Sequence, residues 1–490
     1  MNVAALDEDI RYHCEHFGEA LVRAGFRASG PRSWLGPVEH SGGRSDVVIT
    51  LTTRFPYAPP RVTPVDQDSL AWSWHRERNG DLCLVAEDDK KQLWWVDAEA
   101  FLTHVGRWFE EADAGWVGDR PDMDLDRYFE QSETDGHVYL YPELDAFLGK
   151  PVRFQLDRHN PRVARLVGTG SMPPKRRKDR YIYGAVADLG EVASPPRDWS
   201  QIQTLLDDGD QLTRWINAGK ISVVLLRYSR DDHYAAIALE AWPTRSGGIV
   251  VRRLTSASTS RETRRLRAGA AHEKLQTQSV AIIGLGALGS FLADSLARAG
   301  VIRFTLIDAD LVLPGNLVRH TATEKEVGLF KVDAVKRRLA ELFDVPADGI
   351  DARVEFADDI ATIRVLLEEH DLVINASAEW TVSKMLRDNA EALGVHALTV
   401  VLQNEGKTFR VDVLPPRDNV SPLPLSDRGE PVPAVYEAGC GSPVSLTPPP
   451  SVAEAAAAAA RHAVATMTGA PLSAAGETRE LDLLEGGGRA

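Results

Sequence analysis

From about residue 266 onward the chain alternates short apolar runs with longer amphipathic stretches, and no other feature restricts its fold as tightly. SVAIIGLG (279–286), FTLIDAD (304–310) and DLVINAS (371–377) are apolar on both faces, as strands buried between two helical layers must be. Between them, LGSFLADSLARAG and KVDAVKRRLAELF carry helical periodicity. Strand and helix in strict succession predict a doubly wound parallel sheet. The first apolar run ends in Gly284-Leu285-Gly286-Ala287-Leu288-Gly289, a GxGxxG turn leading into a helix. Glycines there permit a tight turn and bring backbone N–H groups up to a phosphate at the helix N-terminus. Asp308 closes the next strand at the spacing, about 20 residues on, where a carboxylate reaches ribose hydroxyls. To this point a nicotinamide oxidoreductase would read the same way.

The rest of the chain is organised differently. Residues 5–25 place Ile10, Cys14, Phe17, Ala20 and Leu21 at helical spacing. DVVITLT (46–52) alternates like a half-buried strand, FPYAPPRVTPV (55–65) is proline-rich and reads as an extended loop, and AEAFLTHVGRWFEEA (98–112) reads as a helix. Further on, YIYGAVADL (181–189), SVVLLRYS (222–229) and YAAIALEAW (234–242) read as strands, with SMPPKRRKDR (171–180) and ASPPRDW (193–199) as loops. SVAEAAAAAARHAVATMT (451–468) is alanine-rich and predicts a helix. The expected architecture is therefore multidomain, α/β and α+β. It comprises a small α+β domain over 1–125, an α+β middle domain over 126–265, a Rossmann-like α/β domain over 266–470 and a tail over 471–490.

Composition narrows the partners. With 56 basic and 71 acidic residues the net charge is -15, which argues against nucleic-acid binding. The local basic clusters, Lys175 to Arg180 and Arg261 to Arg267, read as solvated surface. The 3 cysteines, Cys14, Cys83 and Cys440, form no CxxC pair, so neither a Cys-ligated zinc nor a disulfide framework is expected. Such sparse thiols fit a reducing cytoplasm. The N-terminal residues lack the pattern of a signal peptide, and no apolar run is long enough to span a membrane.

After Asp308 the chain continues IDADLVLPGNLVRH and then TEKEVGLFK. Together with the glycine turn, this resembles the adenylation domain shared by ubiquitin-activating enzymes and bacterial ThiF-type adenylyltransferases, whose pattern is D-x-D-x-V-x-x-x-N-L-x-R-Q followed by G-x-x-K. The resemblance spans roughly residues 266–470. It implies that ATP and Mg²⁺ are used, a protein carboxylate attacking the α-phosphate while pyrophosphate leaves. Negative charge then spreads over phosphoryl oxygens, and positioned cations lower the barrier. By the resemblance, Arg319 and Lys331 hold phosphates, Asn316 helps position them, Asp308 binds ribose and Asp310 completes the nucleotide site. Glu379 stands nearest to the family's metal-binding aspartate, and Arg261, Arg264, Arg265 and Arg267 are candidates for a further ATP contact. A homodimer is also implied.

Two cysteines extend this. Cys440 lies in Glu437-Ala438-Gly439-Cys440-Gly441-Ser442-Pro443, which resembles the thioester loop of bacterial activating enzymes. A thiolate near a helix N-terminus has its charge stabilised. Cys83 lies in Asn79-Gly80-Asp81-Leu82-Cys83-Leu84, after Phe55-Pro56-Tyr57-Ala58-Pro59-Pro60 and before Trp94. Residues 1–125 so resemble a ubiquitin-conjugating domain, with Cys83 as the active thiol. The family's His-Pro-Asn triplet is replaced by His75-Arg76-Glu77, leaving its oxyanion-binding asparagine without a counterpart. Cys14, on an apolar helix face, reads as core. Both halves in one chain resemble the fused conjugating–activating proteins of bacterial ubiquitin-like and antiphage operons. The implied relay is adenylation of the exposed C-terminus of a ubiquitin-like protein or nucleotidyltransferase, a thioester on Cys440, transfer to Cys83, and ligation to an amine. The alternatives are a sulfur-carrier adenylyltransferase, which has no use for the conjugating-like part, and a binding scaffold with an inactive conjugating domain.

Overall fold

The computed structural model describes residues 3–85, 93–118, 123–170, 181–230, 233–260, 263, 267–343, 345–424, 435–436, 443–444 and 446–481. The chain divides into two compact units, Met1–Ser260 and Arg261–Ala490. No helix among the described residues is long and apolar enough to cross a membrane.

The first unit opens with α1 (Val3–Arg23), an antiparallel meander β1 (Arg27–Gly30), β2 (Ser33–His40), β3 (Gly43–Thr50) and β4 (Arg61–Pro64), and then α2 (Ala98–Asp113). Phe17 and Leu21 of α1, Val47 and Ile49 of β3, and Phe101 and Val105 of α2 share one buried cluster, so helical and alternating periods converge on a common core. Cys14 packs at the edge of that cluster, half-buried. The expectation of an extended loop over 55–65 is corrected at its end, because Arg61–Pro64 pairs with β3. The prolines argue locally against a strand, but β4 is an edge strand, where a missing N–H disturbs no inner ladder.

The unit continues into a closed barrel. Its strands are β5 (Val138–Tyr141), β6 (Lys150–Leu156), β7 (Val163–Thr169), β8 (Tyr181–Glu191), β9 (Val223–Arg230), β10 (His233–Pro243) and β11 (Ile249–Ser258), in the order β10-β11-β5-β7-β6-β8-β9. Helices α3 (Trp199–Leu205) and α4 (Gly209–Asn217) lie between β8 and β9 in the chain. Alternation decides which face each residue takes. Val186, Val223, Leu225 and Ala238 join Tyr139 and Phe154 in one cluster, while Ala185, Ala187, Val224, Leu226 and Leu239 pack with Trp199, Ile202 and Leu212 in another. Both faces are thus covered, which explains the nearly unbroken apolar run of β9.

In the second unit α5 (His272–Gln276) precedes β12 (Ser279–Ile283), α6 (Ala287–Ala299), β13 (Arg303–Ile307), α7 (Lys331–Phe343), β14 (Ile350–Arg353), α8 (Ile360–Glu369), β15 (Leu372–Asn375), α9 (Trp380–Leu393), β16 (Ala397–Gln403) and β17 (Thr408–Leu414). The short pair β18 (Val435–Tyr436) and β19 (Pro443–Val444) follows, then α10 (Pro449–Thr468) and β20 (Gly476–Glu480). The sheet order is β14-β13-β12-β15-β16-β17-β20. Strands β14 to β16 in that order are parallel, whereas β17 and β20 pair antiparallel at one edge. The chain winds outward from β12 through β13 and β14, then crosses over to β15. Carboxyl ends of strands diverge at such a crossing, and the crevice they leave is where open α/β sheets bind ligands.

Candidate functional site

A cavity of about 700 Å³ occupies that crevice. Its wall includes Gly284 and Gly286 after β12, Asp308 and Asp310 after β13, Ser377 and Glu379 after β15, Lys331 opening α7, and Arg319. The three glycines of the turn act separately. Gly284 has φ +84, and a Cβ there would lie 2.6 Å from the Ser377 backbone. A Cβ on Gly289 would lie 1.9 Å from the Gly284 carbonyl oxygen, so α6 sits directly against the turn. A Cβ on Gly286 would meet nothing within 4 Å, leaving the backbone open toward the cavity.

Hydrogen bonds hold the loops around this space. Asp308 accepts from Leu285 N at 2.6 Å and from Asp310 N at 2.8 Å, tying the glycine turn to the loop after β13. Lys331 Nζ donates to Asp310 Oδ2 at 2.7 Å, and its backbone N–H donates to Asp310 O at 2.9 Å. Arg319 Nη1 reaches Thr447 O at 3.5 Å, just before α10. Buried Asn375 accepts from Ser377 N and Oγ and donates to Ser383 Oγ, shaping the loop that presents Glu379 as the N-cap of α9. The structure therefore gathers Gly284, Gly286, Asp308, Asp310, Arg319, Lys331 and Glu379 around one cavity. Gly289 supports it from behind. Asn316 does not line it, and its Oδ1 accepts from Leu313 N at 2.8 Å within its own turn.

His320 was not anticipated. It is 6% exposed, its Nε2 lies 2.8 Å from Leu285 O, and its Nδ1 accepts from Ala322 N at 2.9 Å. These two contacts define a neutral ring with the proton on Nε2, clamping the glycine turn to the Arg319 segment. Burial, above all, holds its pKa down to about 4. The signal was present in the sequence, for this histidine stands where the adenylation pattern has glutamine, another side chain able to donate and accept.

The residues fit a nucleoside triphosphate. The cavity combines open backbone at a helix N-terminus, two cations and the carboxylates of Asp308, Asp310 and Glu379 in one place. Among the described residues no three His, Cys, Asp or Glu side chains gather as a ready-made metal site. Glu379 offers one carboxylate at the cavity wall, the kind of hard oxygen that Mg²⁺ takes alongside substrate phosphates.

In the first unit Cys83 is half-buried, and its backbone N–H donates to His75 O at 2.9 Å. The His75 ring stacks on Trp116 with centroids 3.5 Å apart. Arg76, 2% exposed, donates to the carbonyls of Gln67, Leu70 and Gly80 and so organises the loop before the cysteine. Asn79 is engaged with Asp81, donating to its Oδ2 at 2.7 Å and accepting from its N–H at 3.2 Å. His104 Nε2 lies 2.7 Å from Leu84 O, and its ring leans on Trp94. Arg127 Nη2 stands 3.7 Å from Cys83 Sγ and donates to Glu77 Oε1 at 2.6 Å. Burial pushes the Cys83 thiol up from its ordinary value, and the Arg127 guanidinium works against that rise. No sequence signal pointed to Arg127, 44 residues away along the chain.

Cys440 and its loop, the cluster Lys175 to Arg180, and Arg261, Arg264 and Arg265 lie outside the described residues; Arg267 is described and exposed.

The second unit is a doubly wound α/β domain with its cavity at the crossing point of the sheet, and the ThiF family model matches residues 260–489, the span of that unit. The chain is 35% identical over 117 residues to the uncharacterized protein y4oA of Sinorhizobium fredii (strain NBRC 101917 / NGR234), covering 21% of this chain and 20% of that protein. It is 32% identical over 118 residues to the ATP-dependent ubiquitin transferase-like protein Cap2 of Enterobacter hormaechei subsp. hoffmannii (strain UCI 50), covering 24% and 20%. The chain thus matches about a fifth of the length of these relatives. Among solved structures, the crystal structure of PaaA aligns at 25% identity with a TM-score of 0.35, over 44% of this chain and 64% of that one.

Proposed function

We propose that the second unit activates the C-terminal carboxylate of a protein with ATP, which is consumed as a substrate. The acyl group then passes as a thioester through Cys440 to Cys83 and on to an amine. The observation that carries the first step is the convergence of Gly286, Asp308, Arg319, Lys331 and Glu379 on one cavity from five separate places in the chain. Open backbone at Gly286 and the N-terminus of α6 receive phosphate, while Arg319 and Lys331 balance charge spreading over its oxygens. Asp310 holds the Lys331 ammonium through one of its three donors, leaving others for a phosphate. Glu379 would hold Mg²⁺, whose charge would screen the same oxygens when bound.

Support for a protein substrate comes from the likeness of this chain to Cap2, an ATP-dependent ubiquitin transferase-like protein. Support for the later steps comes from the Cys83 surroundings, where a half-buried thiol meets a guanidinium. A covalent relay divides one difficult acyl transfer into easier exchanges. The fused conjugating–activating reading, a homodimer and a role in antiphage conjugation belong to this same proposal.

The test is ATP–pyrophosphate exchange with candidate ubiquitin-like or nucleotidyltransferase partners, followed by non-reducing gels. Exchange is expected in the intact protein and lost in Lys331→Ala. A reducible adduct is expected in the intact protein, with Cys83→Ala retaining one adduct but forming no ligated product. Full ligation by Cys83→Ala would point instead to sulfur-carrier activation. Exchange without any adduct on Cys83 would point to a scaffold.

A further inference from the structure

Acyl transfer from a thioester develops negative charge twice, on the carbonyl oxygen of the tetrahedral intermediate and on the departing sulfur. The loop before Cys83 provides no asparagine for this, since Asn79 is committed to Asp81. A cation, however, reaches the thiol from a different part of the unit.

We infer that Arg127, carried by the turn Leu125–Tyr128, stabilises the charge that develops at Cys83 during acyl transfer, with Glu77 positioning its guanidinium. This rests on the reading of Cys83 as the thiol that carries the acyl group. The placement is a property of the packed fold, not of two long side chains meeting in solvent. Leu125 is fully buried and Tyr128 is 3% exposed. The Tyr128 hydroxyl donates to Trp74 O at 2.9 Å, and its ring meets the Trp74 ring edge-on at 5.5 Å. The next residue in the chain, His75, accepts the Cys83 N–H. One dipeptide, Trp74-His75, therefore seats both the cysteine backbone and the turn that carries the arginine.

The step balances as follows. An amine nitrogen attacks the carbonyl carbon of S-acyl Cys83, and the π electrons move to oxygen, where Arg127 donates a hydrogen bond. Collapse restores the carbonyl and breaks the C–S bond. Sulfur leaves as a thiolate beside the guanidinium, and the proton lost from nitrogen passes to the Glu77 carboxylate and then to solvent. Arg127 remains charged throughout. The two charged side chains facing the thiol have opposite effects on a thiolate: Arg127 favours it and Glu77 opposes it.

That opposition gives a sign test. In the full chain carrying Cys14→Ala and Cys440→Ala, the rate of Cys83 alkylation by iodoacetamide is followed against pH, with circular-dichroism melts as the fold control. Arg127→Gln is expected to raise the midpoint of the profile by about one pH unit, which is roughly tenfold less thiolate below it. Glu77→Gln is expected to lower the midpoint, and Arg127→Lys to remain near the parent. An unmoved midpoint in folded Arg127→Gln, or a shift of both variants in the same direction, overturns the inference. Should Arg127→Gln melt below assay temperature, Arg127→Met takes its place. Loss of the fold in both would make Arg127 a purely structural residue and likewise overturn it. Alkylation needs neither ATP nor a partner, so this outcome is independent of whether Cys83 carries an acyl group. If it does, discharge of the loaded protein to an added amine should slow about 10- to 100-fold in Arg127→Gln.

Discussion

Gly286 and Gly289 stand in the same turn, yet a methyl group added to each meets different surroundings. At Gly289 it runs into the Gly284 carbonyl oxygen, which is backbone and cannot rotate away. At Gly286 it enters the open space of the cavity. Gly289→Ala is therefore expected to destabilise the second unit by about 1–3 kcal/mol, read as a lower melting temperature. Gly286→Ala should cost about 1 kcal/mol or less, while ATP–pyrophosphate exchange falls by an order of magnitude or more. The reverse ranking would mean that Gly286 does not face the nucleotide. His320 carries a pH prediction. Its pKa is about 4 in the fold, below its ordinary value of 6.5, so the unfolded chain binds the extra proton first. The neutral ring thus contributes stability that is present above about pH 6.5 and lost as pH falls toward 4, worth roughly 3 kcal/mol in full. His320→Gln keeps an N–H donor for Leu285 O but does not titrate. Melting midpoints from pH 7 to pH 4 should fall less steeply in this variant than in the parent.

At the scale of elements, the cavity depends on α6 and α7 keeping their N-termini together. Asp294 of α6 accepts two bonds from Arg338 of α7, at 2.7 and 2.9 Å, and is 8% exposed. A planar guanidinium on both carboxylate oxygens fixes the helices in rotation as well as distance. Asp294→Ala leaves that arginine unpaired, and a loss of about 1–3 kcal/mol is expected by denaturant melts, lower than for a fully buried pair because the Arg338 side chain is 26% exposed. Weaker exchange should accompany it, since Lys331 opens α7. Helices of this kind were legible in sequence: KVDAVKRRLAELF is α7 residue for residue. The strand β4 was not, because the argument against it was local and the reason for it, an edge position, is a property of the sheet.

For the whole chain, the division after Ser260 implies that fragments 1–260 and 261–490 each fold separately. Each is expected to give a cooperative melt, and the second alone should bind ATP, measurable by calorimetry. A non-cooperative melt in either fragment would refute this. The glycine turn and Asp308 are legible from spacing, since a strand followed by a helix puts its connecting loop at one end of the sheet whatever the other contacts are, whereas Arg319 and Lys331 came only from the resemblance to the adenylation pattern. Periodicity and turn chemistry act over a few residues, and they were sufficient to predict the parallel sheet, the glycine turn and the position of Asp308 after the second strand. Closure of the barrel through β5 beside β11, the His320 clamp on Leu285, and the arrival of Arg127 at Cys83 were decided only by tertiary packing. Each joins positions dozens of residues apart, and such pairings are selected by which buried surfaces fit together, a choice that no local pattern encodes.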